Sequence, residues 1–420
     1  MSKVREAVLE CVDAEKVIGL SQQALRIKSL SGEEESVARF FVKEMHAAGL
    51  DAELQPVPAS ANMGASFNAI GRLKGSGGGP SLMLNGHIDH NPVCDGWTKD
   101  PYGGLVENGV LYGFVHMKAA DAAYIAAADA VRRAGVALRG DVVIALVCGE
   151  LRGGAGTQHA LKRGLKTDYF VLGEPTELDI ALTHTASIVL RVHVLGRMKH
   201  FATVDAPGYK GVNAVEKMAK VIAALGPSHT HIRSRDEGGW LTYRPAAGFE
   251  GLPQLNVGPI RGGIGATHDE SRPALLPDRC TLVVDVRIVP GMSKDTIRAD
   301  LDRLLQGLGA GDPDFRYTIE FAQDTFPLPF DAPRGSAIVE SVIEAHRYVN
   351  GTEPKPATVL KFAASDASWL SAAGIPGIIY GPTGRYLSRP DERCETADLV
   401  RAAKAYACVI ADICTRDKAA

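Results

Sequence analysis

Between residues 81 and 175 the chain alternates two textures. The apolar runs SLMLNG, DVVIALVCG and DYFVLGEP are short and rich in Val, Ile and Leu. Between them lie MKAADAAYIAAADAVRRAG (117–135), an alanine-rich helical stretch, and AGTQHALKRG, a second helix. A strand carries an unbroken apolar run when both of its faces are covered. In a strand–helix alternation, that means a parallel sheet flanked by helices. The alternation therefore sets the fold class as α/β with a mostly parallel sheet. Alanine lets the helix at 117–135 pack close to that sheet.

The flanking segments refine this picture. Residues 1–50 read as an amphipathic helix, a break at KSLSGEEE and a second helix, SVARFFVKEMHAAGL. Ser31 and Glu34 stand at capping-box spacing. Further on, SIVLRVHVLG (187–196) and CTLVVDVRIVP (280–290) alternate apolar and polar residues, as half-exposed antiparallel strands do. Helices NAVEKMAKVIAAL and SKDTIRADLDRLLQGL accompany them. This pattern predicts a smaller α+β unit, residues 188–305, inserted into a catalytic domain made of 1–187 and 306–420. The α/β pattern returns in GIPGIIYGP and the helix ADLVRAAKAYACVIADIC.

Composition excludes several partners. The 46 Lys and Arg balance 49 Asp and Glu, for a net charge of -3. No basic stripe or like-charge block calls for nucleic acid or a membrane surface. No apolar run reaches the roughly 18 residues of a membrane span. Seven scattered cysteines, with no CxxC pair, argue against a disulfide framework or a zinc knuckle. The charged, helical N-terminus is unlike a signal peptide. The expectation is a soluble, cytoplasmic protein acting on a small molecule.

Three polar residues close the apolar runs: His87 in LMLNGHIDH, Glu150 in VIALVCGE and Glu174 in YFVLGEP. In an open parallel sheet, ligands bind beyond the C-terminal strand ends. Imidazole and carboxylate groups there suit a divalent transition metal such as zinc or manganese. Asp89 stands where it can accept the other imidazole N–H of His87 and fix its tautomer. Each residue alone is equally readable as a loop polar at a strand end.

The order GHIDHNPVCDGWTKDPYGGLVENGVLYG, HMK, GEL-GG-GT, GEPT, GVNA, SDASWL, GIPGIIYGP and RPDE covers nearly the whole chain. It resembles the family of acetylornithine deacetylase, succinyl-diaminopimelate desuccinylase and glutamate carboxypeptidase. The resemblance implies an α/β catalytic domain with an inserted lid that also dimerises. It also implies hydrolysis of amide C–N bonds by two metals bridged by an aspartate. By matching position, His87 and Glu174 would hold the first metal, with Asp89 orienting His87. Glu150 would be the general base. His200 would polarise the substrate across a dimer, and Asn256 and Arg287 would hold a substrate carboxylate or backbone.

The departures all fall on the second metal. His116 stands where the bridging aspartate belongs, Leu151 where the second-metal glutamate belongs, and Ser388 where a histidine belongs. An imidazole gives one nitrogen to one metal and cannot replace a bridging carboxylate. The pattern implies a single divalent ion, Mn or Zn, held by His87, Glu174 and His116. His116 also reads as a plain loop residue. Asp121 reads either as a re-registered bridge or as a helix-face residue. His184 reads as structural, and Asp366 as a helix cap. A one-metal pattern resembles that of nitroaromatic aminohydrolases, which replace an aromatic amine by hydroxide. It implies deamination of a substrate such as 5-nitroanthranilate to 5-nitrosalicylate and ammonia. An N-acyl amino acid deacylase or carboxypeptidase activity, and a non-catalytic binding protein on the same fold, are the alternatives.

Overall fold

The computed structural model describes residues 2–60, 63–228, 230–244, 249, 251–322, 327–357, 363–385 and 387–418. The chain opens with helices α1 (Ser2–Glu10), α2 (Ala14–Leu25) and α3 (Glu35–Ala47). Strands β1 (Asp51–Val57), β2 (Ser66–Leu73) and β3 (Leu82–His87) follow, then the short β4 (Leu105–Glu107) and β5 (Val110–Tyr112). Helix α4 (Lys118–Arg133), β6 (Val142–Val147), α5 (Ala155–Lys162), β7 (Tyr169–Leu172) and β8 (Thr183–His184) complete the first half. The insert holds β9 (Ala186–Leu195), α6 (Ala214–Leu225), β10 (Gln254–Gly263), β11 (Arg279–Ile288), α7 (Lys294–Gly309) and β12 (Arg316–Phe321). The chain ends with β13 (Phe330–Asp331), α8 (Ala337–Asn350), α9 (Ala367–Ala372), β14 (Gly377–Ile379), β15 (Arg393–Glu395) and α10 (Thr396–Cys414).

The main sheet runs β1-β2-β6-β3-β7-β14. β3 is parallel to β6 and β7, and β14 is parallel to β7. β1 and β2 form an antiparallel edge. Every residue of β3 and β6 is buried, so each Val, Leu or Ile there contributes about 1.5–3 kcal/mol of burial. Helix α4 is buried without interruption from Lys118 to Val131. A helix covered on all sides needs small side chains, which its alanines supply. Because β3, β6 and β7 are parallel, the residues that follow each strand emerge along one edge of the sheet.

The insert is a four-stranded antiparallel sheet, β10-β11-β9-β12. Burial alternates strictly along β9 and β11, and α6 and α7 contribute to a separate core with the inward-facing residues.

Three expectations are corrected here. The compact units are Met1–His184 with Phe330–Ala420, and Thr185–Pro329. The second junction therefore lies at 329/330 rather than 305/306, because β12 pairs with β9 inside the insert; the first lies at 184/185 rather than 187/188. The first amphipathic helix is two helices, and Asp13 caps α2 by accepting from the Lys16 amide at 3.1 Å. Ser31 and Glu34 form no capping box: the Glu34 side chain makes no cap bond to α3. Among the described residues, no helix is long and apolar enough to cross a membrane.

Candidate functional site

His87 ends β3 and is 1% exposed. Glu174 follows β7, parallel to β3, and is also buried. His116 comes from the loop before α4; its peptide bond to Met117 is cis. The Nε2 atoms of the two histidines lie 3.2 Å apart. Glu174 Oε2 is 2.6 Å from His116 Nε2, and Glu174 Oε1 is 4.0 Å from His87 Nε2. Among the described residues, these are the one set of three or more His, Cys, Asp or Glu side chains whose ligand atoms all lie within 4.8 Å of one another.

The loop after β3 turns the His87 ring. Its Nδ1 lies 3.0 Å from the Asp89 main-chain oxygen and 3.3 Å from the Asp89 carboxylate. Donation from Nδ1 leaves the Nε2 lone pair facing His116 and Glu174. Burial opposes charge on His87. The hydrogen bond and charge of Asp89, joined by Glu150 and Glu174, outweigh it and hold the imidazole well above its usual pKa. Asp89 is lowered in turn: burial resists, but His87, the Ser31 hydroxyl and the Leu151 amide favour its anion.

Asp89 also anchors the turn after β6. It accepts from the Glu150 amide at 3.1 Å and the Leu151 amide at 3.2 Å. The Ser31 hydroxyl donates to it at 2.7 Å. Glu34 accepts from the Gly149 amide at 3.0 Å and from the Ser66 hydroxyl. Glu150 opens a single 3-10 turn flanked by Gly149, Gly153 and Gly154, all with positive φ. Its carboxyl is raised well above the ordinary range, first by burial and further by Asp366, Glu174 and Asp89, with His87 opposing. Glu174 is lowered: burial resists, but His116, His87 and His184 favour its anion.

A further acid supports His116. Buried Glu392 accepts from the His116 amide at 2.9 Å and from the Ser388 amide at 2.9 Å. β15 starts at the next residue and pairs with β5, which carries this loop back beside residue 116. Ser388 is engaged by Asn91, whose amide donates to its hydroxyl at 2.8 Å. Leu151 is half-buried in the turn. His90 accepts from the Ser29 amide at 3.0 Å and stacks on Phe114; burial lowers it to about 4. Asp121 is fully buried on α4 against Gly86, and among the described residues neither carboxyl oxygen has a hydrogen-bond partner.

The other three candidates belong to the insert. His200 accepts from the Ala202 amide at 3.2 Å and stacks on Phe201. Asn256 is exposed on β10, opposite Asp285 of β11. Arg287 donates to Asp285 at 2.9 Å and is 30% exposed.

Sequence reading missed Ser31, Glu34, Glu392 and the site-facing side of Asp366. Ser31 and Glu34 did leave a signal, a polar break between two helices, but its long-range use was not visible.

Two imidazoles and one carboxylate suit a divalent transition metal and leave a coordination position open. The electrostatics agree, since the carboxylates around His87 favour positive charge at this point.

Residues 83–412 match the family model for Peptidase family M20/M25/M40. The chain belongs to this family. An M20 member is a metal-dependent hydrolase, and its relatives act on amide C–N bonds. One relative is the N-formyl-4-amino-5-aminomethyl-2-methylpyrimidine deformylase of Bacillus subtilis, 28% identical over 84% of each chain. Another is the acetylornithine deacetylase of Salmonella typhimurium, 29% identical over 83% of each. Among solved structures, the di-peptidase Dug1p of Saccharomyces cerevisiae matches with a TM-score of 0.77 at 15% identity, covering 100% of both chains. At that identity the likeness speaks for the M20 fold alone.

Proposed function

We propose that this M20 protein hydrolyses a C–N bond in a small, carboxylate-bearing molecule with one manganese or zinc ion, held by His87, His116 and Glu174. The observation that carries this reading is the donor set. An imidazole at 116 converges with His87 and Glu174, while the residue beside Glu150 is Leu151. An imidazole offers one lone pair to one ion, and leucine offers none.

When bound, the ion supplies Lewis acidity and makes water easier to deprotonate. Glu150 takes a proton from water and passes it to the departing nitrogen; its raised proton affinity suits both tasks. Asp89 keeps the His87 ring turned and the Glu150 turn in place. Arg287 and Asn256 hold the substrate carboxylate, and His200 from a second copy balances negative charge on the substrate. Self-association through the insert and work in the cytoplasm belong to the same reading.

Two substrate classes follow. The names of the relatives, a deformylase and a deacetylase, favour an N-acyl amine or amino acid. The one-ion donor set favours deamination of a nitroaromatic amine, 5-nitroanthranilate to 5-nitrosalicylate and ammonia. There the ring's nitro group accepts charge and paired-metal activation of a carbonyl is unnecessary. Ion content measured together with released ammonia or carboxylic acid tests the proposal and separates the classes. We expect one ion per chain; two tightly held ions would overturn the single-metal reading. Glu150→Gln is expected to lower turnover by about 10²–10⁴-fold, with ion content and substrate affinity retained.

A further inference from the structure

Glu34 stands just before α3, yet its side chain does not cap that helix. The residue is fully buried. A carboxylate in such a place is costly unless hydrogen-bond donors surround it. Its two oxygens have different donors. Oε2 accepts from the Gly32 amide at 2.8 Å and from the Ser66 hydroxyl, one in its own loop and the other on β2. These anchor the side chain. Oε1 reaches the turn after β6, where it accepts from the Gly149 amide at 3.0 Å, 115 residues away. Gly149 is where that turn closes. Its carbonyl accepts from the Arg152 amide at 3.2 Å and from the Gly154 and Ala155 amides at 3.1 Å each. Its φ is +66, and a Cβ there would lie 2.3 Å from Met63 Sδ. Glu150 is the next residue, so the setting of Gly149 decides the direction in which Glu150 leaves the backbone.

We propose that Glu34 is a positioning residue for Glu150: by holding the Gly149 amide it keeps the Glu150 side chain in its working direction, independently of the ion ligands. This rests on the reading of Glu150 as the base. Asp89 holds the amides of Glu150 and Leu151, but it also lies against His87. A change at Asp89 would therefore disturb the turn and the ion site together. The donors to the Glu34 carboxyl are Gly32, Ser66 and Gly149, and none of them is a proposed ion ligand. Glu34 exchanges no proton in turnover; Glu150 takes it from water and returns it to the leaving nitrogen. The contribution of Glu34 is orientation, and a misplacement of about 1 Å costs on the order of 10²-fold in rate.

Steady-state kinetics and hydrogen exchange of the manganese-loaded protein test this with Glu34→Ala. On the N-acyl amino acid or nitroaromatic amine that wild type hydrolyses, kcat should fall by roughly 10²-fold, with KM and ion content retained. In a Glu150→Gln background the same substitution should lower the residual rate little further, because residues acting as one unit are not additive. The amides of Gly149 to Gly154 should exchange faster, while those of β3 and α4 keep their protection. If Glu34→Ala does not fold, Glu34→Asp carries the test, since it keeps the charge and is one methylene too short for Gly149. An equal loss of rate in both backgrounds, a rise in KM in place of the fall in kcat, or loss of the ion overturns the proposal. So does unchanged exchange in the turn, a measurement that needs no turnover. A wild type that hydrolyses neither substrate overturns the reading of Glu150, and the proposal falls with it even where the turn amides respond.

Discussion

Asp121 shows what a single side chain can cost in this fold. It is fully buried, and among the described residues neither oxygen has a hydrogen-bond partner. Burial raises its carboxyl well above the ordinary range, with Glu174 and Asp89 adding to the shift and His87 and Lys118 opposing it. Between the unfolded value near 4 and the raised folded value, the folded chain keeps a proton that the unfolded chain releases. Stability from this group must therefore fall as pH rises through that window, by about 1.4 kcal/mol per pH unit. Asp121→Asn removes the dependence at nearly constant shape. In chelator-treated protein, denaturant unfolding from about pH 4 upward should show the variant gaining on wild type. Parallel curves would mean that Asp121 is ionised in the folded state. At this scale, residue type was legible but environment was not. His87, Glu150 and Glu174 announced themselves at the ends of apolar runs. Asp121, inside an alanine-rich helix, gave no sign that its face would be covered. Glu392 gave no sign that it would reach His116 from 276 residues away.

Among the elements, the turn after β6 carries most of the proposed chemistry. Gly149, Gly153 and Gly154 all take positive φ, and Glu34 and Asp89 grip its amides. Gly154 has φ +73, and a Cβ there would lie 2.5 Å from both Asp366 Oδ1 and Trp369 Nε1. Gly154→Ala should therefore cost more than the roughly 1 kcal/mol of a left-handed non-glycine residue. It should also lower kcat by displacing Glu150. Thermal unfolding and steady-state rates check both effects; unchanged values would mean that the turn relaxes freely. The break KSLSGEEE was legible as a break but misread as a capping box. Local spacing allowed that motif, and two distant partners won instead. Ser31 bonds Asp89 and Glu34 bonds Gly149, so a stretch of apparent helix punctuation holds the site.

The whole chain divides into two units with separate cores. Strand–helix alternation made the larger unit readable, and strict period-two burial in β9 and β11 did the same for the insert. The far junction escaped because β12 is an edge strand with one buried residue in six, too weak a pattern to claim for either unit. His87, His116 and Glu174 all lie in the larger unit, so an added ion should stabilise that unit alone. At a free manganese or zinc concentration 100 times Kd, the gain is about 2.7 kcal/mol, or roughly 5–10 °C for a unit near this size. Hydrogen exchange with and without the ion locates the effect. Amides of β3, β6 and α4 should gain protection, while those of β9 and β11 should not, because no ligand atom comes from their unit. Equal gains in both would show that the ion acts on the chain as one cooperative body. Gains confined to the insert would place its binding somewhere other than His87, His116 and Glu174.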